Sequence, residues 1–315
     1  MIYISEVFLL FNSIYLSISD TVKRNKGIFV ALLLLILLST CRYIFENKFS
    51  PDNMPKATGA HKIVVFDLDE TVGCFTELGI FWDALQRFHN RKLPDAEFFE
   101  VVNTFPEFLR PNILNILDYL VDKKKDNSCH RIMIYTNNQG PRSWAQKISS
   151  YFDHTVGTKI FDQIIAAFKV RGKIVEISRT RQDKSVEDLI RCTHIPKNTE
   201  ICFLDDQYHP LMEHDNVYYI NIKPYAFGMP FEEMADRYYR KKELSIDKED
   251  FVRGIVADMK RYNYPVVEKS VIETDIDNII SKKIITHLEE FFKRSKKNTT
   301  RKKMGGSKHG TRRKR

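Results

Sequence analysis

A run of β-prone apolar residues, Ile63-Val64-Val65-Phe66, passes straight into Asp67-Leu68-Asp69-Glu70-Thr71. Leaving buried carboxylates unpaired is expensive. A buried strand that ends on two acids, two residues apart, is therefore expected to stop at an open end where a ligand or cation meets them. In open α/β sheets that place is the crevice at the carboxyl ends of the strands. Taken alone the motif is ambiguous, because acidic turns follow many strands.

Three further segments share its pattern. A second apolar strand, Arg131 to Tyr135, ends in Thr136-Asn137-Asn138, and a third, Glu200 to Leu204, ends in Asp205-Asp206. Lys184 opens a helical stretch, SVEDLIRC, 21 residues before Asp205. Helical spacing over 80–91, 112–124 and 143–152 alternates with these strands and with a last one at 217–222. The alternation predicts an α/β fold with a doubly wound parallel sheet. The first strand is expected over about 62–68, and the short apolar pieces of 158–178, around Gly172, read as a small hairpin or insertion. After Pro224 the pattern is helical only, over 231–242, 248–262 and 273–294, in amphipathic segments expected to face a core.

The order of these motifs resembles the haloacid-dehalogenase superfamily of aspartate-nucleophile phosphatases. Within it the chain is most similar to the CTD-phosphatase-like branch (FCP/SCP type, NLI-interacting-factor-like). That branch writes its first motif DLDETL, where residues 67–72 read DLDETV. It also carries a Leu-Arg-Pro before the helix leading to the second motif, here Leu109-Arg110-Pro111 ahead of NILNILDYL. The resemblance covers roughly residues 60–226. It implies a Rossmann-like haloacid-dehalogenase fold with a minimal cap and a C-terminal helical extension. The sequence departs from the family at Val72-Gly73-Cys74, so peptide specificity does not carry over.

The resemblance also implies a chemistry. Asp67 is the expected nucleophile and Asp69 the general acid and base. Thr136 and Asn137 are expected to donate to phosphoryl oxygens, and Lys184 to neutralise the transferring group. A carboxylate attacking a phosphate dianion needs a cation, and hard oxygen ligands suit Mg²⁺. The expected metal set is Asp67, Asp69 through its main-chain carbonyl, Asp205, and Asp206 either through water or as an orienting group. Arg181 and Lys173 are rivals to Lys184. Thr71 reads as a structural hydrogen-bonder, Arg110 as a loop anchor and Cys74 as a small buried residue. His209 and His214 read as structural, with substrate contact the alternative reading for His209.

Spacing bears on the substrate. About 35 residues separate Thr71 from Leu109 and about 47 separate Asn137 from Lys184, too few for a full cap domain in either gap. An open site suits a phosphate on a macromolecule, and the resemblance implies phosphoserine or phosphothreonine in a protein. Two other classes stay open: a phosphatase of nucleic-acid ends or small metabolites, and a non-catalytic, membrane-anchored binding module.

The ends differ from the middle. The net charge is +9, yet residues 293–315 carry twelve Lys and Arg and no acid, which leaves −3 on the rest. The basicity is a tail, 295–315, with no apolar periodicity, expected to be disordered and open to contact with nucleic acid or an anionic surface. Residues 27–41 are uncharged and flanked by Lys26 and Arg42. With their continuation to Phe45 they read as a membrane anchor, although a span wants about 20 apolar residues. A cleaved signal, or a true start at Met54, are the other readings. The expected organisation is a hydrophobic segment at 1–45, a linker at 46–60, the phosphatase-like domain at 61–226, the helical extension at 227–294 and the tail. With an anchor the domain is expected in the cytosol or nucleus, and the five scattered cysteines, without a CxxC pair, suit a reducing compartment. Nothing in the sequence fixes an oligomeric state.

Overall fold

The computed structural model describes residues 61–294. The apolar segment 27–45, the linker 46–60 and the basic tail 295–315 lie outside the described residues. No helix among the described residues is long and apolar enough to cross a membrane.

Five strands form one parallel sheet: β1 (Lys62–Phe66), β2 (Arg131–Tyr135), β3 (Gln163–Ile165), β6 (Glu200–Asp205) and β7 (Val217–Asn221), in the order β3-β2-β1-β6-β7. Helices pack on both faces, so the sheet is doubly wound and Rossmann-like. Side chains of a strand alternate between faces. Val64, Phe66, Ile132, Ile134, Cys202 and Leu204 point into one core. Ile63, Val65, Met133, Tyr135, Ile201 and Phe203 point into the other.

The two faces are unequally covered. The larger core takes α1 (Thr76–Phe88), α2 (Asp95–Thr104), α3 (Ile113–Lys125), α4 (Arg142–Val156) and the C-terminal helices α6 (Phe231–Lys242), α7 (Lys248–Met259) and α8 (Val271–Lys293). The smaller core is closed by α5 (Val186–Thr193), through Val186 and Leu189. The helices after Pro224 thus bury Met234, Tyr238, Phe251, Ile255, Leu288 and Phe291 in the same core as the sheet. Lys62, at the start of β1, donates to the carbonyls of Phe291 (2.6 Å), Phe292 (3.2 Å) and Arg294 (2.6 Å), capping the end of α8.

Chain order sets the site. The chain runs outward from β1 through β2 to β3, then returns across the sheet to β6 and on to β7. The order reverses between β1 and β6, and the carboxyl ends of those neighbours frame a crevice.

The elements differ from expectation in a few places. β1 stops at Phe66 rather than about residue 68, because the chain turns there: Val72 N–H bonds the Leu68 carbonyl and Glu70 N–H the Gly73 carbonyl. The helix expected over 80–91 starts a turn earlier, at Thr76, and ends at Phe88. The stretch 158–178 divides: 163–165 joins the sheet, and β4 (Lys169–Val170) and β5 (Lys173–Ile174) form an antiparallel hairpin. Its two turn residues, Arg171 and Gly172, both have positive φ (50° and 79°), the conformation of a type I′ turn.

Candidate active site

Asp67 follows β1 directly, and its N–H still pairs with the Leu204 carbonyl of β6 (2.8 Å). Its side chain therefore meets that of Asp205, the last residue of β6. Lys184 sits between them. It lies just before Ser185, whose hydroxyl caps α5 by accepting from Asp188 N–H (3.2 Å), so the start of that helix fixes its backbone. Lys184 is 1% exposed; its ammonium bonds Asp67 and Asp205, the latter at 2.6 Å, and lies 5.9 Å from both the Tyr135 and Phe203 rings. The rivals Arg181 and Lys173 are exposed instead.

The other acids occupy different sides. Carboxylate oxygens of Asp67, Asp205 and Asp206 all lie within 4.8 Å of one another, a grouping that can hold a metal ion. Asp206 is fixed by Thr71, which donates its hydroxyl to Oδ1 (2.9 Å) and accepts from the Asp206 N–H (3.1 Å). The side chain of Asp69 is not in this trio. It accepts from Asn138 Nδ2 at 2.6 Å, and its other oxygen, Oδ1, is buried without a hydrogen-bond partner.

Asn138 was not singled out in the sequence, where Asn137 stood for the loop. It is the better held of the two: its N–H reaches Thr136 Oγ1 (3.0 Å) and its Oδ1 takes Gly140 N–H (2.7 Å). Asn137 lines the pocket with its buried Oδ1 unpartnered. Thr136 is buried at the end of β2, with its N–H on the Ile165 carbonyl (3.0 Å). His209 also reaches the site, with Nε2 3.4 Å from Asp205 Oδ2, whereas His214 is exposed. Together Asp67, Asp69, Thr136, Asn138, Lys184 and Asp205 line most of a pocket of about 150 Å³.

Electrostatics follow from this packing. Burial pushes the Asp67 carboxyl up to about 7, against the pull of Lys184. Burial also raises Asp69, with the Asn138 hydrogen bond opposing, and Asp206, with Thr71 opposing. At Asp205 burial acts upward too, but the His209 hydrogen bond and the Lys184 charge outweigh it and hold the carboxyl below its ordinary range. Four acids thus line a site with one buried lysine, which bonds only Asp67 and Asp205. Such a set suits a small hard cation. It repels an anion unless that cation or protons offset the charge.

No protein-family model matches the chain, and no curated protein matches its sequence with significant similarity.

Proposed function

We propose that the chain is a Mg²⁺-dependent phosphomonoesterase of the haloacid-dehalogenase type, acting on a phosphoserine or phosphothreonine of a protein. The observation that carries this reading is the division of labour between two acids two residues apart. Asp67 shares Lys184 with Asp205 and belongs to the carboxylate trio, while Asp69 faces Asn138. Two carboxyls in different surroundings suit a nucleophile and a general acid.

Asp67, Asp205, Asp206 and the main-chain carbonyl of Asp69 would hold Mg²⁺, which when bound supplies charge neutralisation between Asp67 and the phosphate. In the first step an Asp67 oxygen bonds phosphorus, the bond to the ester oxygen breaks, and Asp69 gives that oxygen its proton. Burial favours the protonated Asp69 this requires. In the second step water attacks phosphorus, Asp69 takes the water's proton, and the Asp67–phosphorus bond breaks to release inorganic phosphate. Lys184 orients Asp67 and faces the transferring group. The Thr136 hydroxyl accepts from Asn138 N–H, which leaves its own proton for a phosphoryl oxygen.

Pocket size supports a macromolecular substrate. At about 150 Å³ the pocket is smaller than the roughly 300–1,000 Å³ of common small-molecule sites. It takes a phosphoryl group and leaves the alcohol outside. The helices between Thr71 and Leu109 pack into the core instead of building a separate cap.

The test is a substrate panel on the purified chain: phosphopeptides, 3′- and 5′-phosphorylated oligonucleotides and sugar phosphates, each with and without Mg²⁺. Mg²⁺-dependent release of phosphate, fastest from phosphopeptides, is expected. Preference for the oligonucleotides or sugars would reject the protein substrate, and no release from any would reject the enzyme.

A further inference from the structure

Buried side chains, joined by the half-buried Lys269, form a path from the Asp67 loop to α8. Glu70, the residue after Asp69, has φ 61°, a left-handed conformation that costs a non-glycine residue on the order of 1 kcal/mol. Its carbonyl is held twice, by Tyr225 N–H (2.8 Å) and by Arg110 Nη2 (2.6 Å). Arg110 also donates to the carbonyls of Thr71 (2.5 Å) and Lys223 (2.9 Å) and is 1% exposed. Its guanidinium carbon lies 5.5 Å from the centre of the Tyr225 ring, and Lys269 Nζ lies 3.8 Å from the same ring. Lys269 in turn pairs with Asp277 of α8, a carboxylate 1% exposed.

The path holds more polar capacity than its bonds use. Arg110 Nη1, Asp277 Oδ1 and, one helical turn on, Ser281 Oγ are buried without hydrogen-bond partners. Burial pulls the Arg110 guanidinium down to about 10, and the charge of Asp277 is the largest influence opposing it, ahead of Asp206. A buried ion pair seldom stabilises a fold more than apolar side chains of similar size would. Its location is the informative part: behind the loop that carries the nucleophile and the acid.

We infer that Lys269 and Asp277 are positioning residues for the reaction. Acting through the Tyr225 ring and Arg110, they hold the carbonyls of Glu70 and Thr71, and with them Asp67 and Asp69, in the geometry the chemistry needs. The inference rests on the phosphatase reading, because the geometry it protects is that of the two acids.

The test replaces the pair by apolar side chains in the full chain, Lys269→Met with Asp277→Leu. Hydrolysis of p-nitrophenyl phosphate with Mg²⁺ should lose about tenfold in kcat, in the range of energetic coupling between linked sites, with KM within twofold. Amide exchange over residues 68–74 should quicken while the melting temperature stays within a few degrees. Lys269→Arg, which keeps a cation for the ring and for Asp277, should restore kcat in the Asp277 background. Ile279→Ser, on an exposed position of α8, should change nothing. A folded double variant with unaltered kcat and unaltered loop exchange overturns the inference. Should the double variant not fold, Tyr225→Leu keeps the N–H on Glu70, removes the ring, and carries the same expectation and the same refutation, with Tyr225→Phe as the control for the hydroxyl's bond to the Glu107 carbonyl (2.6 Å). If the wild type shows no hydrolysis at all, the phosphatase reading fails, whereas the exchange measurement still decides whether the pair orders the loop.

Discussion

Asp67 and Asp69 are separated by one residue yet stand in different company, and that difference can be tested atom by atom. Asp67→Asn keeps the volume but cannot attack phosphorus, so turnover should vanish while circular dichroism stays unchanged; near-normal turnover would remove Asp67 from the mechanism. Asp69→Asn loses the proposed proton donor and should cost on the order of 10²- to 10⁴-fold in kcat. Asn138→Ala removes the donor that places Asp69 Oδ2 and should cost a few-fold to about tenfold in kcat, the worth of an ordinary hydrogen bond. The strand-end acids and Thr136 were legible because they follow apolar runs directly, whereas Lys184, in a polar stretch beside Arg181, stood out only by its place at a helix start 21 residues before Asp205. Asn138 was not legible. Its importance comes from a loop that bends back across the sheet to Asp69, and neither its neighbours nor its spacing encodes that bend. His209 reaches the site by the same kind of turn, after β6.

At the scale of elements, the legible parts were those with long or strongly alternating patterns. α2 escaped notice although its signals are present: Asp95 and Glu97 in the first turn after Pro94, and Phe98, Val101 and Val102 at helical spacing. β3 has three residues in the sheet, too few for a period to show. The start of α1 was missed because Glu77, an acid, is fully buried there and accepts from Met229 N–H (3.3 Å). That burial has a consequence for stability. Burial raises the Glu77 carboxyl from 4.5 to about 7, so the folded state binds a proton that the unfolded chain has already released. The contribution is favourable below pH 4.5 and is lost as pH rises through about 7. Glu77→Gln keeps an acceptor for Met229 and removes the titration. It should therefore gain stability over wild type at pH 8, by at most about 3 kcal/mol, and show no gain near pH 4. Urea unfolding at both pH values checks this; an equal difference at the two would show that Glu77 does not titrate with folding.

The whole molecule divides by charge and by core. Composition placed the basicity in the tail, which, like the apolar segment 27–45, lies outside the described residues. The body that carries the site is held together end to end. Lys62 opens β1 and caps the end of α8, and residues from Val64 to Phe291 share one core. The sequence pattern showed the C-terminal helices but not which surface they cover, because amphipathic spacing says that a helix has an apolar face and not what that face meets. A chain cut after residue 226 would strip Met234, Tyr238, Phe251, Ile255, Leu288 and Phe291 from the core and expose the sheet-side residues beneath. Burying one such side chain contributes about 1.5–3 kcal/mol, and a domain's net stability is only about 5–15 kcal/mol. Residues 61–226 alone should therefore fail to fold cooperatively, whereas residues 61–294 should be soluble and keep the full chain's kcat on a small phosphate ester. Calorimetry and p-nitrophenyl phosphate kinetics on the two truncated chains distinguish the cases. A cooperative, active 61–226 would show that the helices after Pro224 are an accessory to the site, and with it the coupling of α8 to the Asp67 loop would fall.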